Sequence, residues 1–413
     1  MMRRQARQRG WTGVVLLMTL VSGILSAGAG EAATYYVATS GSSGCSTNRS
    51  SPSASVSNSL GCLRPGDTLY FLAGTYNCGT CLNNPPSGNS GARITIAGDP
   101  QDGTRKVQLN IGDGSSNGIS ISGSSYLTFD NLVFDASSAA FAGFKIQGGS
   151  GSNFITLQNS EIRNACQSAI LVGGDGHQFI NLHVHHNGST ELDHGFYITG
   201  ADNLVQGCDI HDNFGYGIQL YNGSNSRAVN NATIRQNRIH NNTAGNRSTN
   251  SVVLGSGDNI QFYNNLVYNA PHEGIQLANG GTNTKVYNNT IYGHSTNCIS
   301  VNDGGGAVLR NNICFSNGNN AVVGSTNATV SNNLFSDPKF VNGSSEDFHL
   351  QASSPAIKAG VDLSSVFTTD FAGLTRPPGN FDLGAYAVGG TGGGSGGQTP
   401  LPAPRNLRLV TSP

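Results

Sequence analysis

His185, His211 and His240 close three four-residue phrases spaced 26 and 29 residues apart, and two positions before each stands another polar residue: His183, Asp209 and Arg238. One phrase earlier the same two places hold Glu161 and Arg163. Imidazoles exchange protons near neutral pH, guanidinium groups neutralise carboxylates, and carboxylates act as bases or acids. The grid therefore holds the parts for acid–base chemistry on an anionic substrate. A second group stands at the corresponding places of an adjoining segment: His194, Tyr197, Tyr216 and Gln219, flanked by Lys145, Glu273 and Gln276.

The phrases that carry these residues recur at Asn131, Ser160, Leu182, Cys208, Asn237, Asn265, Asn289 and Asn312, with a worn copy at Asn333. The intervals of 29, 22, 26, 29, 28, 24, 23 and 21 residues are those of a solenoid. Each interval holds two further apolar runs of alternating pattern, as at Gly143, Ala169 and Gly217 and at Phe154, Ile260 and Thr284. Short strands separated by Gly, Asn, Ser and Asp, with no helical period, predict an all-β, parallel β-helix. Its hand is expected to be right, since parallel crossovers nearly always are.

Alternation then assigns faces. Val133, Ile162, Val184, Ile210, Ile239, Val267 and Ile291 are expected inside. Phe134, Arg163, His185, His211, His240, Tyr268 and Tyr292 are expected on the outer row. Leading asparagines are expected at corners, bonding backbone and like amides on neighbouring coils. With coils about 4.8 Å apart, the four polar coils make a grid roughly 15 Å long. The longest corners, 186–193, 221–231 and 241–250, fall on the same stretch, as insertions at a binding face do. A stacked outer stripe with ordinary surface ion pairs is the competing reading.

The chain opens with Arg3, Arg4, Arg7 and Arg9, an apolar run and small residues, which predicts a cleaved export signal over 1–32. Without it 18 Lys/Arg face 22 Asp/Glu, so nothing favours nucleic acid, and no membrane insertion of the mature chain is expected. The expected domains are an N-terminal cap over 33–106, repeats over 107–340, a C-terminal capping segment over 341–388 and a Gly/Ser-rich linker and tail over 389–413. Cys45, Cys62, Cys78 and Cys81 are expected to form disulfides in an undetermined pairing, whereas Cys208 and Cys314 are expected as small buried apolar residues. No metal-ligand spacing stands out.

The opening from Thr34 (TYYVATSG), the stretches Leu63–Tyr70 (LRPGDTLY) and Ala73–Tyr76, and the tail with Ser354–Ile357, Asp370–Pro377 and Asp382–Tyr386 resemble secreted right-handed parallel β-helix repeat proteins of the pectate-lyase superfamily. The resemblance implies a secreted or cell-surface, carbohydrate-active chain. It carries over no catalytic residue, because the Arg-x-Pro-x-x-Arg of pectate lyases and the polygalacturonase motifs are missing. Three readings follow. A lyase or epimerase acting on uronate polymers would take Arg163 or Arg238 as cation, His185 or His211 as base and Tyr197 or Tyr216 as acid, with calcium able to replace the arginine. An inverting hydrolase would use Glu161 and Asp209, about 9.6 Å apart by coil spacing. A non-catalytic matrix protein would bind glycan through the same groups. The partner in each case is a polysaccharide, no cofactor is identified, and a monomer is expected.

Overall fold

The computed structural model describes residues 31–149, 151–223, 229–242, 250–303, 305–324, 327–389 and 391–392. Residues 1–30 of the expected export signal, most of the Gly/Ser-rich tail and parts of two long corners lie outside the described residues. The solenoid falls within residues 32–413. It is a right-handed parallel β-helix of about nine turns.

Three parallel sheets run its length. The first has 12 strands, from Thr34–Ser42 to Thr329–Ser331. The second has 10, from Gly74–Gly79 to Ile313–Phe315, and the third has 9, from Ile119–Ile121 to Asn319–Gly324. Residues 33–106, expected as the N-terminal cap, supply strands to the first two sheets, and a short helix, Val56–Cys62, buries Leu60 in the same core. Among the described residues no helix is long and apolar enough to cross a membrane.

Inside the second sheet Phe134, Ile162, Val184, Ile210, Ile239, Val267, Ile291 and Cys314 stack with no solvent exposure. Each apolar side chain covers the next, which is the main source of stability in a coil too small to bury a core alone. One expectation fails by a residue. Phe134, not Val133, points inward, and Val133 pairs with Glu161 on the outer row beside Asp135. The reason is the corner: Asn131 takes the left-handed conformation (φ 57°) that Asn159 takes in the next coil, so Leu132 is the counterpart of Ser160. A slip of one residue exchanges the faces of a strand.

Corners are built from asparagine. Asn237, Asn265, Asn289, Asn312 and Asn333 form a ladder in which each amide nitrogen donates to the next Oδ1 at 2.9–3.0 Å. The same amides donate to buried carbonyls, as Asn265 does to Ile234 at 3.0 Å, so backbone groups that the turn leaves unpaired inside the protein are satisfied. A second ladder, Asn187, Asn213 and Asn242, does this between the second and third sheets.

The C-terminal segment packs along the flank of the second sheet. Phe340, Phe348, Leu350, Leu383 and Ala385 pack with Leu266, Tyr268 and Ile313 on the outer face of the second sheet. Asn264, Asn288 and Asn311 donate to carbonyls of Thr369, Asp382 and Val361. Disulfides join Cys45 to Cys62, Cys78 to Cys81 and Cys298 to Cys314. Cys314 is therefore bridged, contrary to the expectation of a free apolar residue, because its inward place brings it next to Cys298. Cys208 is free and buried.

Candidate functional site

Parallel pairing sets the grid. His183 aligns with Glu161 on one side and Asp209 on the other, and His185 aligns with Arg163 and His211. Asp209 and His211 align in turn with Arg238 and His240. Because strand backbone holds these side chains, their spacing is fixed by hydrogen bonds rather than by loop conformation.

The outer rings stack. His185 lies over His211 at 5.2 Å, His211 over His240 at 4.9 Å and His240 over Tyr268 at 4.7 Å, all nearly parallel. Tyr268 is covered by Phe348 and donates to Glu346 at 3.0 Å. The C-terminal segment thus ends the accessible row, leaving His183, His185, His186 and His211 as its open part.

Carboxylates fix three of the imidazoles. A carboxylate accepts, so the ring nitrogen facing it carries the proton. His185 donates from Nε2 to Glu161 at 3.3 Å, His211 from Nδ1 to Asp212 at 2.7 Å, and His240 from Nε2 to Asp209 at 3.0 Å. The second nitrogen of each ring is then an acceptor. That of His240 accepts a hydrogen bond from the Asn241 amide at 3.1 Å, that of His211 faces His183 Nε2 at 2.7 Å, and that of His185 faces exposed His186 Nδ1 at 2.7 Å.

Charge follows this wiring. Burial would raise the Glu161 carboxyl, but the nearby His183, the His185 hydrogen bond and the Arg163 charge outweigh it and hold it well below the carboxylate range. Asp209, likewise buried, is held down by His240, His211 and Arg238. Asp212 is lowered by its bond to His211. Burial lowers His185 against the pull of Glu161, so its ring is neutral near pH 7. Arg163 is tied to Asp135 at 3.0 Å, Glu161 at 2.6 Å and Gln108 at 3.1 Å.

Several expected members stand elsewhere. His194 is 2% exposed, not on the outer face. Its Nδ1 accepts the Tyr216 backbone N–H at 3.1 Å, and burial pushes its pKa down to about 4. A corner residue, it serves the backbone as the asparagines do. Tyr216 and Tyr197 stack on that ring at 4.7 and 5.8 Å, and burial raises both phenols. They and Gln219 belong to the third sheet and its corner, across the Asn187–Asn213 ladder from the imidazole cluster. Lys145 and Tyr197 line a separate cleft of about 410 Å³ on that sheet. Glu273 is buried, accepting from Asn297 and Ser300, and is no surface contact for a ligand. Gln276 accepts from Asn250 at 3.1 Å. Arg238 lies in the field of Asp209, Glu346 and Tyr386, beneath the C-terminal segment, which withdraws it from the open row.

Sequence reading missed His186 and Asp212. Both follow an outer-row histidine and both are left-handed (φ 56° and 51°), where neighbouring coils carry Asn164, Asn241 and Asn269. The signal was available: a titratable residue in a place that otherwise takes asparagine.

Comparison with known proteins bears on the fold. Residues 117–291 match the family model of the right handed beta helix region. No curated protein sequence matches the chain. Among solved structures it is similar to the pectate lyase Pel9A, with a TM-score of 0.69 at 20% identity over 86% of this chain and 96% of that one. It is also similar to a rhamnogalacturonan lyase (0.57, 16%, covering 75% and 90%) and to XylC in complex with xylose (0.57, 11%, covering 87% and 99%). At these identities the likeness is one of fold.

Proposed function

We propose that this chain is an exported β-helix protein that binds a uronate-containing polysaccharide across the outer face of the second sheet and cleaves it by β-elimination. The observation that carries the reading is the set of carboxylate-fixed imidazoles on rigid strands. His185 gives its Nε2–H to Glu161 and keeps its other nitrogen an acceptor, as a general base requires, and His211 stands stacked beside it. His185, held neutral by burial, is the stronger candidate to take the proton beside the uronate carboxylate. The names of two structures of like fold, a pectate lyase and a rhamnogalacturonan lyase, support the substrate class. Tyr197 and Tyr216 lie beyond the Asn corner, so the proton for the leaving oxygen is assigned within the cluster, to exposed His186 or to water.

The test is turnover of uronate polysaccharides by the purified chain, read both as unsaturated-product absorbance and as reducing ends. His185→Ala and His211→Ala should each lower turnover by about 100-fold or more without moving the melting temperature, since outer-row positions add little to the core. Reducing ends without unsaturated product would replace elimination by hydrolysis. Retained glycan with no product would leave a binding protein.

A further inference from the structure

We propose that His183, His211 and Asp209 bind a divalent first-row transition ion of the zinc class. The ligand atoms of these three residues all lie within 4.8 Å of one another. His183 and His211 bring their Nε2 atoms to 2.7 Å. The His211 proton is committed to Asp212 through Nδ1, so its Nε2 lone pair points at the site. On the far side of the His183 ring, Nδ1 lies 3.9 Å from Glu161 Oε2. The short contact is a hydrogen bond from His183 Nε2–H to the His211 lone pair, and a cation held by both nitrogens would take the place of its proton.

The surroundings are those of metal ligands. Ligating imidazoles usually donate their other N–H to a carboxylate, and ligating carboxylates are themselves hydrogen-bonded. Asp212 does the first for His211, and His240 does the second for Asp209, at 3.0 Å. Two imidazoles and a carboxylate suit zinc and its neighbours, and three protein ligands leave a position for water or substrate. Calcium, with its about six to eight oxygen ligands, is poorly served by a site in which imidazoles predominate. A rival set, Glu161, His183 and His185, shares His183. There the carboxylate already binds Arg163 at 2.6 Å and the His185 N–H, so the Asp209 set is preferred.

This site lies within the surface assigned to polysaccharide, yet its test needs no polysaccharide, so either idea can fail alone. The full chain, stripped with chelator, is titrated with Zn²⁺ by calorimetry and with Co²⁺ by visible absorbance. One ion per chain is expected. His183→Ala and His211→Ala should each weaken binding by about 100-fold or more, and Asp212→Asn, which keeps every ligand, by about 10- to 100-fold. His349→Ala, a surface imidazole on the C-terminal segment, should bind as the parent does. Should a histidine variant fail to fold, Asp212→Asn, altered at a more exposed side chain, still decides. No saturable binding, or unchanged affinity in the His183, His211 and Asp212 variants, overturns the proposal.

Discussion

His294 is a histidine in an asparagine's place, and replacing it should remove part of the protein's sensitivity to acid. In the ladder between the second and third sheets, Asn187, Asn213 and Asn242 each accept a backbone N–H from the preceding coil and donate to the carbonyl of an inward residue: Ile162, Val184 and Ile210. His294 does both with its ring. Nδ1 accepts from Ala270 N–H at 3.2 Å and Nε2 pairs with the Val267 carbonyl at 3.2 Å. It is 2% exposed, and burial pushes its pKa from 6.5 to about 4. Protonation would set a new N–H against the Ala270 N–H. Since the folded pKa lies below the unfolded one, the unfolded chain binds more protons between them, so stability is intact above about pH 6.5 and is lost as pH falls toward 4. At about 1.4 kcal/mol per pH unit the loss approaches 3 kcal/mol. His294→Asn keeps one acceptor and one donor and cannot charge; the smaller side chain costs about 1 kcal/mol at neutral pH for the space it leaves. Urea midpoints at constant m-value, taken from about pH 7 to about pH 4.5, check this. The variant should start slightly below the parent and fall less, closing and reversing the gap by about 2 to 3 kcal/mol. Parallel curves for parent and variant would refute the assignment.

Asn265→Ala should cost about 4 kcal/mol in the same assay, because it strands the buried Asn237 N–H and Ile234 carbonyl at about 1–3 kcal/mol each and breaks two ladder bonds; a loss under about 1 kcal/mol would show that water replaces the amide. Chain recovered from the medium should lack roughly its first thirty residues by mass spectrometry, as an export signal requires, and an intact Met1 confined to the cytoplasm would end that reading.

Strand faces were legible because the period-two pattern and the stacking of like residues agree from Ile162 to Ile291. The pattern failed at Asn131, which fills the first corner place, as Asn159 does, and not the second, so the phrase there was read one residue early. Flank packing was not legible at all: Tyr268 and Tyr292 read as exposed members of the row, and only the C-terminal segment, distant in sequence, covers them. The pairing of Cys314 with Cys298 joins strands of different sheets, so alternation along either strand says nothing of it. The candidate site was half legible. His183, His185, Asp209 and His211 were placed by repeat phase alone, whereas His194 obeys a corner rule that the phase does not contain.

That corner rule separates two uses of one residue type. His177, His194 and His294 each turn Nδ1 to a backbone N–H inside the protein and are pushed to about 4 by burial. Rings so committed cannot exchange protons with a ligand near neutral pH. The strand histidines instead find side-chain partners, and those partners decide what remains. The second nitrogen of His240 accepts from an asparagine amide, while those of His185 and His211 face only other imidazoles. The arginines that would neutralise a uronate are less available: Arg163 is bound to two carboxylates, and Arg238 lies under the C-terminal segment. Positive charge for an anionic substrate is therefore what this surface lacks, and an ion held by His183, His211 and Asp209 would supply it one coil from the base.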